Sequence, residues 1–128
     1  MANSILTSTK KVLGLADDYD AFDVDVIMHI NSVFFTLNQL GIGPPEGFAI
    51  EGKDASWDDF ISDVNMLNAV KTYMYLRVRL LFDPPTTSFA IDAMKKQVEE
   101  LEWRLNVHRE GVITPWTDPL TLSSPITE

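Results

Sequence analysis

An all-α fold is predicted for this chain, as a small bundle of about four helices followed by an extended C-terminal arm. Three observations predict it: apolar residues recur at helical spacing in four segments, strong breakers separate those segments, and no alternating strand pattern of useful length occurs. With 128 residues, 45% of them hydrophobic and 23% charged, the chain is one domain long, and such a chain buries roughly two-thirds of its unfolded surface on folding. Residues 1–110 are expected to form the helical domain and residues 111–128 the arm.

The first helix is predicted from Ile5 to Leu13, with Ser4 placed to cap it and Gly14 to end it. It is short enough to fray in isolation. The second has Asp23 as its expected cap, Asp25 where the helix dipole favours an anion, and Phe22 before the cap set to lie over Ile27. Its stripe is Ile27, Ile30, Phe34, Leu37 and Leu40, widened by Val26 and Val33. Gly41 stops it, and the tract GIGPPEG that follows is a loop, because its prolines remove amide donors and its glycines admit positive φ.

A third helical region starts near Ser56 or Asp58, allows a break around Asp63, and runs to Phe82. From Ala69 to Phe82 it leaves almost no polar face, so it is buried on all sides, either centrally in the bundle or between the bundle and another subunit. Pro84 and Pro85 close it. The fourth helix is predicted from Ser88 to about Val107, with Ile91, Met94, Val98, Leu101 and Leu105 spaced three and four apart, and with Lys95 to Glu99 and Glu100 to Arg104 as i,i+4 pairs outside. In the arm, Pro115, Pro119 and Pro125 favour extended chain, while Ile113, Trp116 and Leu120 are apolar anchors with no use in a purely solvating tail.

Composition excludes several classes of function. The net charge is −9, and residues 1–60 carry ten acids against Lys10, Lys11 and Lys53. Such a balance gains little from counterion release, so tight DNA binding is not expected. Zero cysteines remove disulfides, thiolate metal sites and thiol nucleophiles. No stretch approaches the roughly 18 to 20 apolar residues of a membrane span, since Arg77 and Arg79 interrupt the most apolar segment. The first residues lack the order of an export signal, and a cytosolic site of synthesis is expected.

The acids from Asp17 to Asp25 fail the calcium-loop test: counted from Asp18, the sixth residue is Asp23 where glycine is needed, and the twelfth is His29 where a glutamate is needed. They read as an acidic loop leading into a helix. Asp25, His29 and Ser32 imitate an orienter, base and nucleophile, but side chains of one helix project in parallel and do not converge on a substrate atom. His29 reads instead as a boundary or interface residue, and His108 has no acid at metal-ligand spacing. No phosphate-cradling loop, zinc spacing or nucleophile elbow occurs, so neither enzyme activity nor a cofactor or metal is expected. Arg77 and Arg79 need partners: Glu99, Glu102 or Asp83 within the fold, or the acidic loop of another subunit.

Three stretches in this order, FDVDVIMHINSVFFTLNQLGIGP (residues 22–44), VKTYMYLRVRLLFDPP (residues 70–85) and EWRLNV (residues 102–107), resemble the helical head-tail connector (adaptor) proteins of tailed phages. The resemblance covers most of residues 1–110. It implies a virion protein at the head-tail interface, a homo-oligomeric ring of about twelve closed head-to-tail. The ring docks on the portal, extends the DNA channel without sequence-specific binding, and receives neck or tail-completion proteins; no catalytic residue carries over. The residues expected to touch a neighbouring subunit or partner are Tyr73, Arg77, Arg79, Asp23, Asp25, His29, Trp103 and Trp116. The competing expectation is a non-viral helical protein–protein interaction module, which would form a monomer or defined pair where a connector closes a ring.

Overall fold

The computed structural model describes residues 4–113, with side chains to Val107. Among the described residues the elements are α1 (Ile5–Val12), α2 (Asp23–Gln39), a single turn α3 (Trp57–Phe60), α4 (Val64–Phe82) and α5 (Ser88–Ile113), with no strand. The all-α expectation holds. The third predicted region is split at Asp63, whose side chain accepts from the amides of Asn65 and Met66 and caps α4. Helix α5 runs six residues past the expected end at Val107.

Helices α1 and α2 end the same way, for a reason visible in the chain. Gly14 and Gly41 take φ of 83° and 81°. Each lets the next two amides fold back on the helix: Gly14 to Lys11 and Leu15 to Lys10 in α1, Gly41 to Asn38 and Ile42 to Leu37 in α2. These paired bonds satisfy carbonyls that a helix end leaves orphaned, and the residue after the glycine packs inward, as Ile42 does. The start of α2 differs from expectation. Phe22 is the cap, with no side-chain bond, and Asp23 is the first helical residue, because its carboxylate is drawn to Lys10 and not to the amides ahead of it. The Phe22 ring meets Tyr19 and Phe82 edge-on, at centroid distances of 5.8 and 5.4 Å.

The long connection from Gly41 to Ser56 is stitched into the core. Asn31 on α2 clamps Ile50 in both directions, donating to its carbonyl at 3.0 Å and accepting from its amide at 2.7 Å. Phe34, Phe48 and Phe60 pack as a ring cluster with centroids 4.7 to 5.3 Å apart, and Trp57 tilts against Phe34. Gly43, at φ 89°, lies against Phe60 so closely that a Cβ would overlap the ring. Helix α1 is fastened to this segment by Ser4 donating to the Lys53 carbonyl, the Ile5 amide donating to Ala55, and the Trp57 indole donating to Ser8. Short as it is, α1 is therefore held by tertiary contacts.

Helix α4 is the axis of the fold, packed by α1, α2 and α5. Most of its apolar surface is buried within the chain, as Met66, Leu67, Val70, Tyr73, Met74, Leu76 and Val78 show, while Leu81 at its end is 48% exposed. Among its described side chains, helix α5 contributes Val98 and Leu105 to the buried core.

Candidate subunit interface

The residues singled out in the sequence fall into two groups, those that bind the subunit to itself and those that face outward. Tyr73 is fully buried, and its hydroxyl donates to Glu102 on α5 at 2.7 Å. Arg77 donates to the same Glu102 oxygen at 3.2 Å and to the Tyr73 hydroxyl at 3.3 Å, with its guanidinium over the Tyr73 ring. Burial, then the bond to the Glu102 carboxylate, pushes the Tyr73 hydroxyl well above its ordinary range, so it stays a donor. Of the partners open to Arg77, the one within the fold is realised. Tyr73 is fully buried in the α4–α5 seam of the chain. Arg79 turns to the Asp83 carbonyl and the Tyr75 hydroxyl, at 2.9 and 3.1 Å.

The acidic loop has an internal use as well. Lys10 is 2% exposed, and its ammonium donates to the carbonyls of Asp17 and Tyr19, at 3.1 and 2.8 Å. The Asp23 carboxylate stands 2.8 Å away as counter-charge, off the line of a hydrogen bond. Three neighbours for an ammonium with three protons explain how a lysine is tolerated inside. His29 is half-buried, edge-on to Phe82 at 6.3 Å. Asp25 is exposed in the first turn of α2. Trp103 is 67% exposed on α5. Trp116 lies outside the described residues.

Two outward stripes emerge, of whose residues the sequence singles out Trp103 alone. On α2, Val24 (75% exposed), Met28 and Phe35 (64%) sit at i, i+4 and i+11, opposite the buried Val26, Ile30, Val33 and Leu37. On α5, Phe89 (84%), Trp103 and Val107 share one face, opposite Val98 and Leu105. Their phase, half a turn from the core positions, was the available signal.

These stripes lie on helices that pack against different faces of α4. Phe82 of α4 meets Phe22 and His29 on the α2 side, whereas Tyr73 and Arg77 of α4 meet Glu102 of α5. Phe82 and Tyr73 are nine residues apart, about two and a half helical turns, hence on opposite sides of α4. The order across the subunit is α2, α4, α5, with each outer helix presenting apolar side chains to the outside. Among the described residues no group of His, Cys, Asp and Glu is arranged to hold a metal. No described helix is long and apolar enough to cross a membrane.

A small helical protein with two separate outward apolar faces has the form of an assembly component. Residues 5–112 match the phage connector protein family, and the chain belongs to it. No curated protein and no solved structure matches the chain. Membership makes it a phage structural protein of the connector class.

Proposed function

We propose that this chain is the ring-forming head-tail connector of a tailed phage. About twelve copies close head-to-tail under the portal, extend the DNA channel, and present the surface on which neck or tail-completion proteins dock. The observation that supports it most is the pair of separate outward faces on a subunit of the connector family, because a cyclic contact needs two different patches on each copy. The net charge of −9 suits a channel through which DNA slides without adhering. The work of the subunit is binding and geometry, with no reaction assigned to any residue and its place in the virion at the head-tail junction.

The chain after Ile113, where α5 ends, serves in this proposal as a docking arm toward the portal or neck partner. Residues 114–128 lie outside the described residues, so the arm rests on Trp116 and Leu120 in the sequence. Truncation after Ile113 is expected to weaken docking while leaving the helical domain folded; infectious particles assembled normally by that variant would remove the arm from the proposal.

The assembly itself is tested by light scattering over a concentration series, with negative-stain images of the largest species and of DNA-filled heads incubated with the protein. Rings in solution, or protein added at the portal vertex, are the expected result. A monomer that neither closes nor adds to heads would defeat the reading.

A further inference from the structure

We propose that the ring contact is made by the outer face of α5 of one copy seated on the outer face of α2 of the next, with Lys95 and Lys96 set against the acids near the Val24 end of that face, Asp18 and Asp20 of the adjoining cleft and the exposed Asp25. The inference rests on the ring reading above and adds to it which surfaces meet and what holds them together.

Charge selects the pairing. Beside the Val24 end of the α2 stripe lies a cleft of about 460 Å³ whose walls include Asp17, Asp18, Asp20, Val24 and Glu51. Two lysines line it as well: Lys10 is consumed internally by two carbonyls and Asp23, and Lys53 is exposed at the wall, so that Asp17, Asp18, Asp20 and Glu51 remain in excess. The rim is therefore acidic with an apolar neighbour. On α5, Arg104 is engaged by Glu100, and Arg77 across the seam by Glu102. Lys95 and Lys96 stay exposed on the same stretch as Phe89, between Asp92 and Glu99, with no in-chain ion pair among the described residues.

Symmetry selects the mode. Contact of α2 with α2 would set the acidic rim against itself, and like charges brought together oppose association. Contact of α2 with α5 matches apolar to apolar and acid to base, and joins two different patches, which is what a closed ring requires. The placement of α2 and α5 on opposite sides of α4 supplies the direction of growth from one copy to the next. A single helix-on-helix contact buries little area, so each link is weak alone and is made durable by two links per copy.

The absence of cysteine makes the test clean. Val24→Cys and Ala93→Cys variants, both at exposed positions, are treated with a flexible bismaleimide, separately, mixed, and as the double variant, in rings and on DNA-filled heads. The mixture should yield a cross-linked dimer, the double variant a ladder reaching ring size, and each single variant alone no product. Self-linking of Val24→Cys, or no product while rings or head-bound protein are plainly present, would overturn the pairing and leave the ring intact as a reading. Absence of rings and of head-bound protein in the unmodified chain would overturn both.

Charge exchange gives a second readout. The K95E/K96E variant should lower ring or head-bound protein at least tenfold, with the far-ultraviolet helical signal unchanged. Adding D20K/D25K to the same chain should restore it. Failure of that restoration in a folded protein, or full assembly of K95E/K96E, would count against the pairing.

Discussion

The body made of α1, α2, α3, α4 and the 41–56 connection differs sharply from α5 in how its side chains are used. In the body, even loop backbone is answered: Lys10 holds the carbonyls of Asp17 and Tyr19, Asn31 clamps Ile50, and Asn38 donates to Pro44 and Pro45. Helix α5 is fastened along one seam to α4, and Phe89, Trp103 and Val107 on its far side stay exposed among the described residues. One region is specified by its own interior; the other leaves an apolar face open. Substitutions should separate the two, with large losses of stability in the body and large losses of assembly on the outer faces.

The largest effect is expected at Trp57. It is buried, tilted against Phe34, under the Lys71 ammonium, and its indole donates to Ser8. Trp57→Ala should cost about 4 kcal/mol in urea unfolding, from lost area plus the cavity left between α1 and the ring cluster. Lys10→Met comes next, at about 2 to 3 kcal/mol, because two carbonyls and the Asp23 carboxylate lose their cation while Asp23 keeps some water. A loss under about 0.5 kcal/mol would show that water replaces Lys10 and that the loop is not fastened by it.

Tyr73→Phe tests the seam and should cost about 1 kcal/mol near neutral pH, with Arg77 still paired to Glu102. Its pH dependence has a definite sign. The hydroxyl is raised in the folded state, so its contribution is complete below the unfolded tyrosine value of about 10 and is lost as pH rises above that. The stability gap between the native chain and Tyr73→Phe should therefore close in alkali; a gap that widens would mean that the hydroxyl is not held neutral. The smallest effect on stability belongs to Trp103→Ser, within about 0.5 kcal/mol, accompanied by a marked fall in ring or head-bound protein by light scattering. A stability loss comparable to that of Trp57→Ala would place Trp103 in the body after all.

Most of the helical outline was legible because caps and breakers are local. Ser4, Asp63, the glycines after α1 and α2, and Pro84 and Pro85 mark their boundaries by chemistry that acts within a few residues. What escaped depends on partners distant in sequence. Asp23 reads as a cap until Lys10 is known to lie beneath it, and a lysine beside a second lysine on a short helix carries no sign of being buried. Phe22 looked set to cover Ile27, but α4 brings Phe82 within reach. The surplus of apolar side chains on α4 suggested burial correctly, while three helices packing on it within one subunit is a tertiary fact. The outward stripes were present in the helical phase of Val24, Met28, Phe35, Phe89 and Trp103, yet only the buried faces said which phase was outward.

The single seam holding α5 also has a mechanical meaning. Any load taken up on the outer side of α5 reaches the rest of the subunit chiefly across α4, through Val98, Leu105 and the Tyr73–Arg77–Glu102 node. A pull along the helix axis is borne in shear by all of these contacts together, whereas a pull perpendicular to it would peel them one after another. The fold is consequently stiff in the first direction and yielding in the second, so that in the proposed ring the angle at which a neighbour gripped α5 would decide whether the junction transmits force or gives way.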